Sequence, residues 1–331
     1  GCHYLHIDYQ HELLFKTAAL EKILKPFATQ ARFDCSDIRV IEAPERLHYR
    51  NRVQLHYRHN YIGMLDPIRD QVIEVPHCQI IRDELKPAFN ALYANRDWQD
   101  SQGQRGHCEL YFDGNGDVRQ SWNTDYADGG FSQVNAEMNQ KLVSQVKALA
   151  LEKLKNKSKL HVLDLFSGAG NLSNKIMMSA NSLEPKQAVG DGAASLLRRV
   201  MVDNIPWQDT NPLDAQSDFY ALDLFNENAL GLFKRKLKKS HLSAGQAEES
   251  SPLTVSSFDL MLIDPPRKGF SQLNTWVNEC KPKTLIYVSC NAATMARDLQ
   301  SLDKKFTIDE VMLLDLFPST YHFETVVCLS F

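Results

Sequence analysis

From residue 160 the chain alternates short apolar runs of strand length with stretches of helix length, and this leaves few folds open. The pattern predicts strands at 160–165, 186–190, 218–222, 258–263 and 284–289. It predicts helices at 134–150, 171–181, 192–204, 226–237, 271–280 and 291–301. Strands that return through helices pair in parallel, with the connections covering the sheet. Two last strands, 306–315 and 323–331, have no full helix between them. They predict an antiparallel hairpin at the sheet edge. The stretch 239–257 is polar, small and aperiodic, and reads as a flexible surface insertion.

The first part of the chain is patterned differently. Residues 8–25 have helical spacing, and 35–75 are strand-like. In YRNRVQLHYR (49–58) a period of two puts Tyr49, Val53, Leu55 and Tyr57 on one face. Arg50, Arg52, His56 and Arg58 fall on the other. Residues 79–94 read as a helix, and 107–122 as a hairpin closed by a Gly/Asn/Asp turn. The expected organisation is a smaller α+β domain over 1–130 and a Rossmann-like α/β domain over 131–331.

A net charge of −4 does not suit a wholly basic nucleic-acid binder, so any such surface must be local. No apolar run approaches the roughly 20 residues of a membrane span. The seven cysteines are odd in number and scattered, which fits a reducing, cytoplasmic setting better than a disulfide framework. A monomer is expected. The chain opens on Gly1-Cys2 without a Met, and reads as part of a longer protein.

The first strand of the alternating region runs into VLDLFSGAGNLS (162–173). Gly168 and Gly170 allow a tight turn and close approach to a ligand beyond the strand end. A dinucleotide fingerprint would end in a third glycine; Ser173 stands there, and the acidic Asp164 precedes the loop. A carboxylate at that place repels a pyrophosphate and suits an ammonium group, such as that of S-adenosylmethionine. Phe166 and Asn171 belong to the same loop. Asp191 and Asp223 follow the next two expected strands, where they would meet ribose and adenine or simply cap helices.

The chemistry is expected at the last strand ends. FDLMLIDPPRKGF (258–270) carries Asp264 to a strand end, with Arg267 where amino-methylating enzymes have an aromatic. YVSCNAATMARDL (287–299) puts Cys290 between a strand and a helix N-terminus, a position that favours a thiolate. A thiolate that adds to C6 of uracil turns C5 into a nucleophile, and a base must then remove the C5 proton. Glu324, in FPSTYHFETVVCL (317–329), is the candidate base, and His322 the alternative.

These motifs, with FSQVN (131–135) and DLFPSTYHFETV (315–326), make the chain similar over nearly its whole length to the RNA uracil-5-methyltransferases. The resemblance implies a class I S-adenosylmethionine-dependent methyltransferase fold that makes 5-methyluridine in RNA. It implies Cys290 as nucleophile, Glu324 as base and Asp264 on the target uracil. Gln133 would touch cofactor or base, and the Asp164 loop, Asp191 and Asp223 would hold the cofactor. Cys2 and Cys78 match two ligands of the [4Fe–4S] cluster found in part of the family, the other two lying upstream; no cluster is expected in this chain itself. That match favours large-subunit ribosomal RNA over transfer RNA as substrate. Within an RNA enzyme Arg50, Arg52 and Arg58 become candidate phosphate contacts, and Arg267 a substrate contact. A non-catalytic RNA-binding protein on the same scaffold is the alternative from another class. A nicotinamide oxidoreductase is a third reading, weakened by the missing glycine.

Overall fold

The computed structural model describes residues 2–66, 68–96, 98–113, 115–124, 133–153, 159–182, 196–204, 216–243 and 258–331. Helix α1 (Tyr9–Leu24) and the short α2 (Phe27–Gln30) precede strand β1 (Arg39–Ile41). Strands β2 (Arg52–Arg58), β3 (Tyr61–Asp66) and β4 (Gln71–Ile73) follow, then α3 (Lys86–Ala94), α4 (Trp98–Gln102), β5 (Arg105–Phe112) and β6 (Val118–Trp122). Helix α5 (Ala136–Lys153) leads to β7 (Lys159–Leu165), α6 (Ser173–Ser182), β8 (Leu196–Asp203), β9 (Ser217–Ala221) and α7 (Ala229–Ser243). The chain ends with β10 (Leu260–Ile263), α8 (Leu273–Cys280), β11 (Thr284–Ser289), α9 (Ala292–Gln300), β12 (Thr307–Leu314) and β13 (Glu324–Ser330).

Two compact units result. The first comprises 1–14, 42–140 and 315–322; the second comprises 15–41, 141–314 and 323–331. Each is assembled from separated stretches, so no single cut between 130 and 131 divides them.

The second unit holds an eight-stranded sheet in the order β1-β12-β13-β11-β10-β7-β8-β9. Strands β11, β10, β7, β8 and β9 are parallel to one another, as the alternation predicts. Strand β13 inserts antiparallel between β11 and β12. The closing hairpin is therefore not the outermost pair: β1 adds to β12 in parallel, from a part of the chain expected to belong elsewhere. Its core cluster is built of apolar side chains, with Trp276, Phe233, Phe258, Phe270 and Tyr287 fully buried among the strand residues.

The first unit holds an antiparallel sheet in the order β4-β3-β2-β5-β6. Val53, Leu55 and Tyr57 of β2 pack with Cys108 and Leu110 of β5, Phe89 and Leu92 of α3, and Trp98. Trp98 and Trp122 stack at 5.9 Å between ring centroids.

Three expectations change. Residues 196–203 form a strand, β8, rather than part of a helix over 192–204; the strand expected at 186–190 lies outside the described residues. Helix α7 continues to Ser243, so 239–243 are helical, and the remainder of 239–257 is outside the described residues. Helix α3 starts at Lys86 rather than 79, with Pro87 in its first turn, where a missing N–H costs nothing.

Candidate active site

The sheet topology brings the chemistry to one edge. Strands β7, β8, β10 and β11 point their carboxyl ends the same way, and β13, running opposite, brings its amino end there. The register pairs Ser289 with Thr325. The next position across holds Cys290, one residue past β11, and Glu324, the first of β13. Neighbouring strands lie about 4.8 Å apart, so the two side chains start side by side. Ile263 pairs with Tyr287 on one side and Leu165 on the other, which sets Asp264 at the same edge. An antiparallel strand in the middle of a parallel sheet is thus what lets a residue late in the chain face Cys290.

The site is acidic and poorly solvated. Asp164 is 2% exposed and its Oδ2 has no hydrogen-bond partner. Burial pushes its carboxyl up to about 6, opposed by a hydrogen bond from Ser173 and the charge of Arg199. Asp264 is pushed up to about 7, by burial first and by Asp164 second. Glu324, 2% exposed, is raised well above the usual carboxylate range by burial and by Asp264, with Arg267 pulling the other way. Cys290 is partly exposed. Burial, then Glu324, push its thiol up to about 11, while the charge and hydrogen bond of Arg267 pull it down. The expected help from the helix N-terminus is outweighed. Asn291 takes the N-cap of α9, its side chain accepting from the Ala293 N–H at 3.2 Å, and Cys290 stands one residue outside it. The dipole acts within the first turn, and burial next to acids wins.

The turn after β7 is built to approach a ligand. Phe166 has φ +58, Gly168 φ +50 and Gly170 φ +75. For Phe166 that conformation is strained. Its ring is held by Phe225 at 5.4 Å and Phe270 at 5.0 Å. The Gly168 N–H donates to Asp203 Oδ2 at 2.9 Å, which joins the turn to the end of β8. Asn171 is exposed beside it. Asp223 is exposed two residues past β9 and accepts from the Phe225 N–H at 2.9 Å, a local turn rather than the N-cap of α7. Asp191 lies outside the described residues. A buried carboxylate with an unpartnered oxygen, beside a glycine turn that exposes backbone, fits a ligand bearing an ammonium group. The expected S-adenosylmethionine has one.

The comparisons with known proteins agree. A model of the tRNA (uracil-5-)-methyltransferase family matches residues 249–331. A 23S rRNA (uracil(1939)-C(5))-methyltransferase of Vibrio campbellii is 27% identical, over 98% of this chain and 78% of that one. An uncharacterised RNA methyltransferase of Bdellovibrio bacteriovorus is 26% identical, over 98% and 75%. Over nearly its whole length the chain is similar to RNA uracil-5-methyltransferases. Its fold is that of the solved Pyrococcus abyssi tRNA (uracil-54, C5)-methyltransferase, with a TM-score of 0.62 at 21% identity, covering 99% of this chain and 85% of that one.

Other expected residues fall in the first unit. The carbonyl of Gln133 accepts from Asn51 Nδ2 at 3.0 Å. His322, the alternative base, has its ring against Tyr321 and Phe317. Arg50 donates to the Arg52 carbonyl at 2.8 Å, and Arg58 pairs with Asp70. Arg52 needs correction as a phosphate contact. It is 1% exposed, ion-paired with buried Glu109 at 3.1 Å and set over the Tyr111 ring at 4.6 Å. A guanidinium so enclosed has no face for RNA. Cys2 and Cys78 are brought close enough for their charges to interact. Among the described residues no group of three or more His, Cys, Asp or Glu side chains could hold a metal ion. Two thiols do not make a four-thiolate site. No helix among them is long and apolar enough to cross a membrane.

Sequence reasoning missed Asp203. It ends β8, and its carboxylate accepts from the N–H of the glycine turn. The signal was present in VMVD (200–203), an apolar run ending in an acid as in the other strands.

Proposed function

We propose that this methyltransferase transfers the methyl group of S-adenosylmethionine to C5 of a uridine in RNA, with 23S ribosomal RNA as the substrate. The observation that carries the reading is the pairing of Cys290 with Glu324 across the β11–β13 register, beside Asp264 and the buried Asp164. A nucleophile, a base and a polar partner for the pyrimidine edge meet at the strand ends of one sheet.

Cys290 Sγ bonds to C6 of the uracil, and the ring electrons move toward O4 and C5. When bound, S-adenosylmethionine supplies an electrophilic methyl, and positive charge to a pocket rich in buried carboxyl groups. Glu324 takes the proton from C5 after that carbon has gained its fourth substituent. The electrons re-form the C5–C6 double bond, and the C6–S bond breaks to release Cys290. Asp264, its carboxyl pushed up to about 7 by burial and by Asp164, is populated in both protonation states near neutral pH, so it can donate to a uracil oxygen or accept from the ring N–H. Asp164 and Asp203 hold the cofactor, with Phe166, Gly168, Gly170, Asn171 and Asp223. The target base must leave its stack to reach Cys290.

Asp164→Asn removes the carboxylate charge that faces the cofactor's ammonium group and replaces one acceptor oxygen with a donor. Calorimetric titration is expected to give S-adenosylmethionine a Kd weaker on the order of tenfold to a hundredfold. An unchanged Kd would take Asp164 out of the cofactor site.

The substrate is tested by nucleoside mass spectrometry on separated RNA from cells with and without the gene. Loss of 5-methyluridine from 23S ribosomal RNA is expected. Loss confined to transfer RNA would favour the second reading, which the name of the matching family model and the Pyrococcus relative support.

A further inference from the structure

Four groups face the Cys290 thiol region: Glu324 on β13, Asp264 at the end of β10, Arg267 in the turn that follows, and the start of its own helix. The acids oppose a thiolate, and Arg267 is the cation acting on both Cys290 and Glu324. What holds Arg267 there is a clamp built by α9. Asn291 Nδ2 and Thr294 Oγ1 each donate to the Arg267 carbonyl at 3.1 Å. Arg297 donates to the Lys268 carbonyl at 2.8 Å. Asp298, 1% exposed, accepts from the Phe270 N–H at 2.5 Å and from the Tyr287 hydroxyl at 2.7 Å. Its other oxygen accepts from Arg297 at 2.6 Å. The turn is moulded to this grip. The Gly269 N–H closes on the Pro266 carbonyl at 2.8 Å, and Gly269 has φ +76. A Cβ there would collide with the Asp298 carboxylate and Arg297.

A buried carboxylate that ties together β11, α9 and the turn is an expensive feature for an apolar core. Tyr287 lies three residues before Cys290, and Asp298 lies two helical turns after it. We propose that Asp298 is a positioning residue: through the 266–270 turn it fixes Arg267 against Cys290 as the cation that stabilises the attacking thiolate. The proposal rests on the function proposed above and adds two roles to it. Arg267 acts on the nucleophile rather than only on the RNA, and Asp298, remote from the reacting atoms, acts through Arg267.

The test reads the thiol itself. Cys290 is alkylated with iodoacetamide in the folded full chain, without RNA or S-adenosylmethionine, over neutral to alkaline pH. The Cys290 peptide is quantified by mass spectrometry, which separates it from the other cysteines. Arg267→Gln is expected to move the alkylation profile to higher pH and to slow the reaction at fixed pH by about tenfold, the effect of one unit in thiol pKa. Asp298→Asn should reproduce most of that shift. The double variant should shift no further than Arg267→Gln alone, because both changes remove one interaction. An Asp298→Asn profile that overlays the wild type, or shifts that add, would overturn the proposal. Should Asp298→Asn not fold, Thr294→Val serves. It should give a smaller shift of the same sign that vanishes in the Arg267→Gln background, and a profile equal to wild type overturns the clamp. Normal methylation with unshifted alkylation would remove only the positioning role. Shifted alkylation in a protein that never methylates RNA would remove the function instead.

Discussion

Cys290→Ala is expected to form no covalent complex with RNA carrying 5-fluorouridine, whereas the wild-type chain with S-adenosylmethionine should trap it. Fluorine at C5 cannot leave as a proton, so the adduct stops before elimination, still bonded through sulfur. The expectation follows from placement. Cys290 is partly exposed at the edge where β7, β10, β11 and β13 present Asp164, Asp264 and Glu324, whereas Cys280 and Cys328 of the same unit are buried. Without the thiol, C5 keeps the weak nucleophilicity of an isolated uracil, and turnover should fall on the order of 10⁴-fold or more. Binding of S-adenosylmethionine should be unaffected, since no cofactor contact is assigned to Cys290. A gel-stable adduct formed by the alanine variant would remove Cys290 from the reaction.

Glu324→Gln fails at a later step and therefore looks different. The first bond can still form, but the C5 proton has no acceptor. The variant should accumulate a covalent, methylated adduct with ordinary RNA, with turnover lower by about 10²- to 10⁴-fold, the usual contribution of a positioned base. It should also be more stable than wild type at neutral pH. The carboxyl of Glu324 is raised in the folded chain, so above the unfolded pKa the unfolded state releases a proton that the folded state keeps. Stability is therefore lost as pH rises from the unfolded pKa toward the folded one, and glutamine removes that loss. Slower turnover with a higher Tm separates loss of the base from misfolding. Full activity of Glu324→Gln would pass the role to His322.

What could be read in advance depended on whether polar residues mean solvent. The strand-end positions of the glycine turn, Cys290 and Asp264 were legible because each follows an apolar run, and that of Glu324 because it opens one. Strand β8 was not, because Arg198 and Arg199 interrupt it. Arg199 is nonetheless 2% exposed, donating to Ser173 at 2.9 Å and Asn174 at 2.5 Å, and Arg198 pairs with Asp218 at 3.0 Å. Those partners come from α6 and β9 and leave no local trace. Missing β8 left Asp203, which accepts from the glycine turn, unnoticed. Arg52 failed in the same way: period two put it outside with Arg50 and Arg58, and a buried Glu109 from another strand reversed that. The insertion of β13 between β11 and β12, which brings Glu324 to Cys290, is a matter of strand order and has no signature in either strand's own residues.

The most direct test of the central claim follows the C5 proton. RNA containing [5-³H]uridine is incubated with the chain and S-adenosylmethionine, and tritium released to water is counted against methyl groups incorporated. Methylation at C5 through Cys290 and Glu324 predicts one tritium released for each methyl transferred, with none from the Cys290→Ala variant. Methyl incorporation without tritium release would place the methyl on a nitrogen or a ribose oxygen and contradict the account.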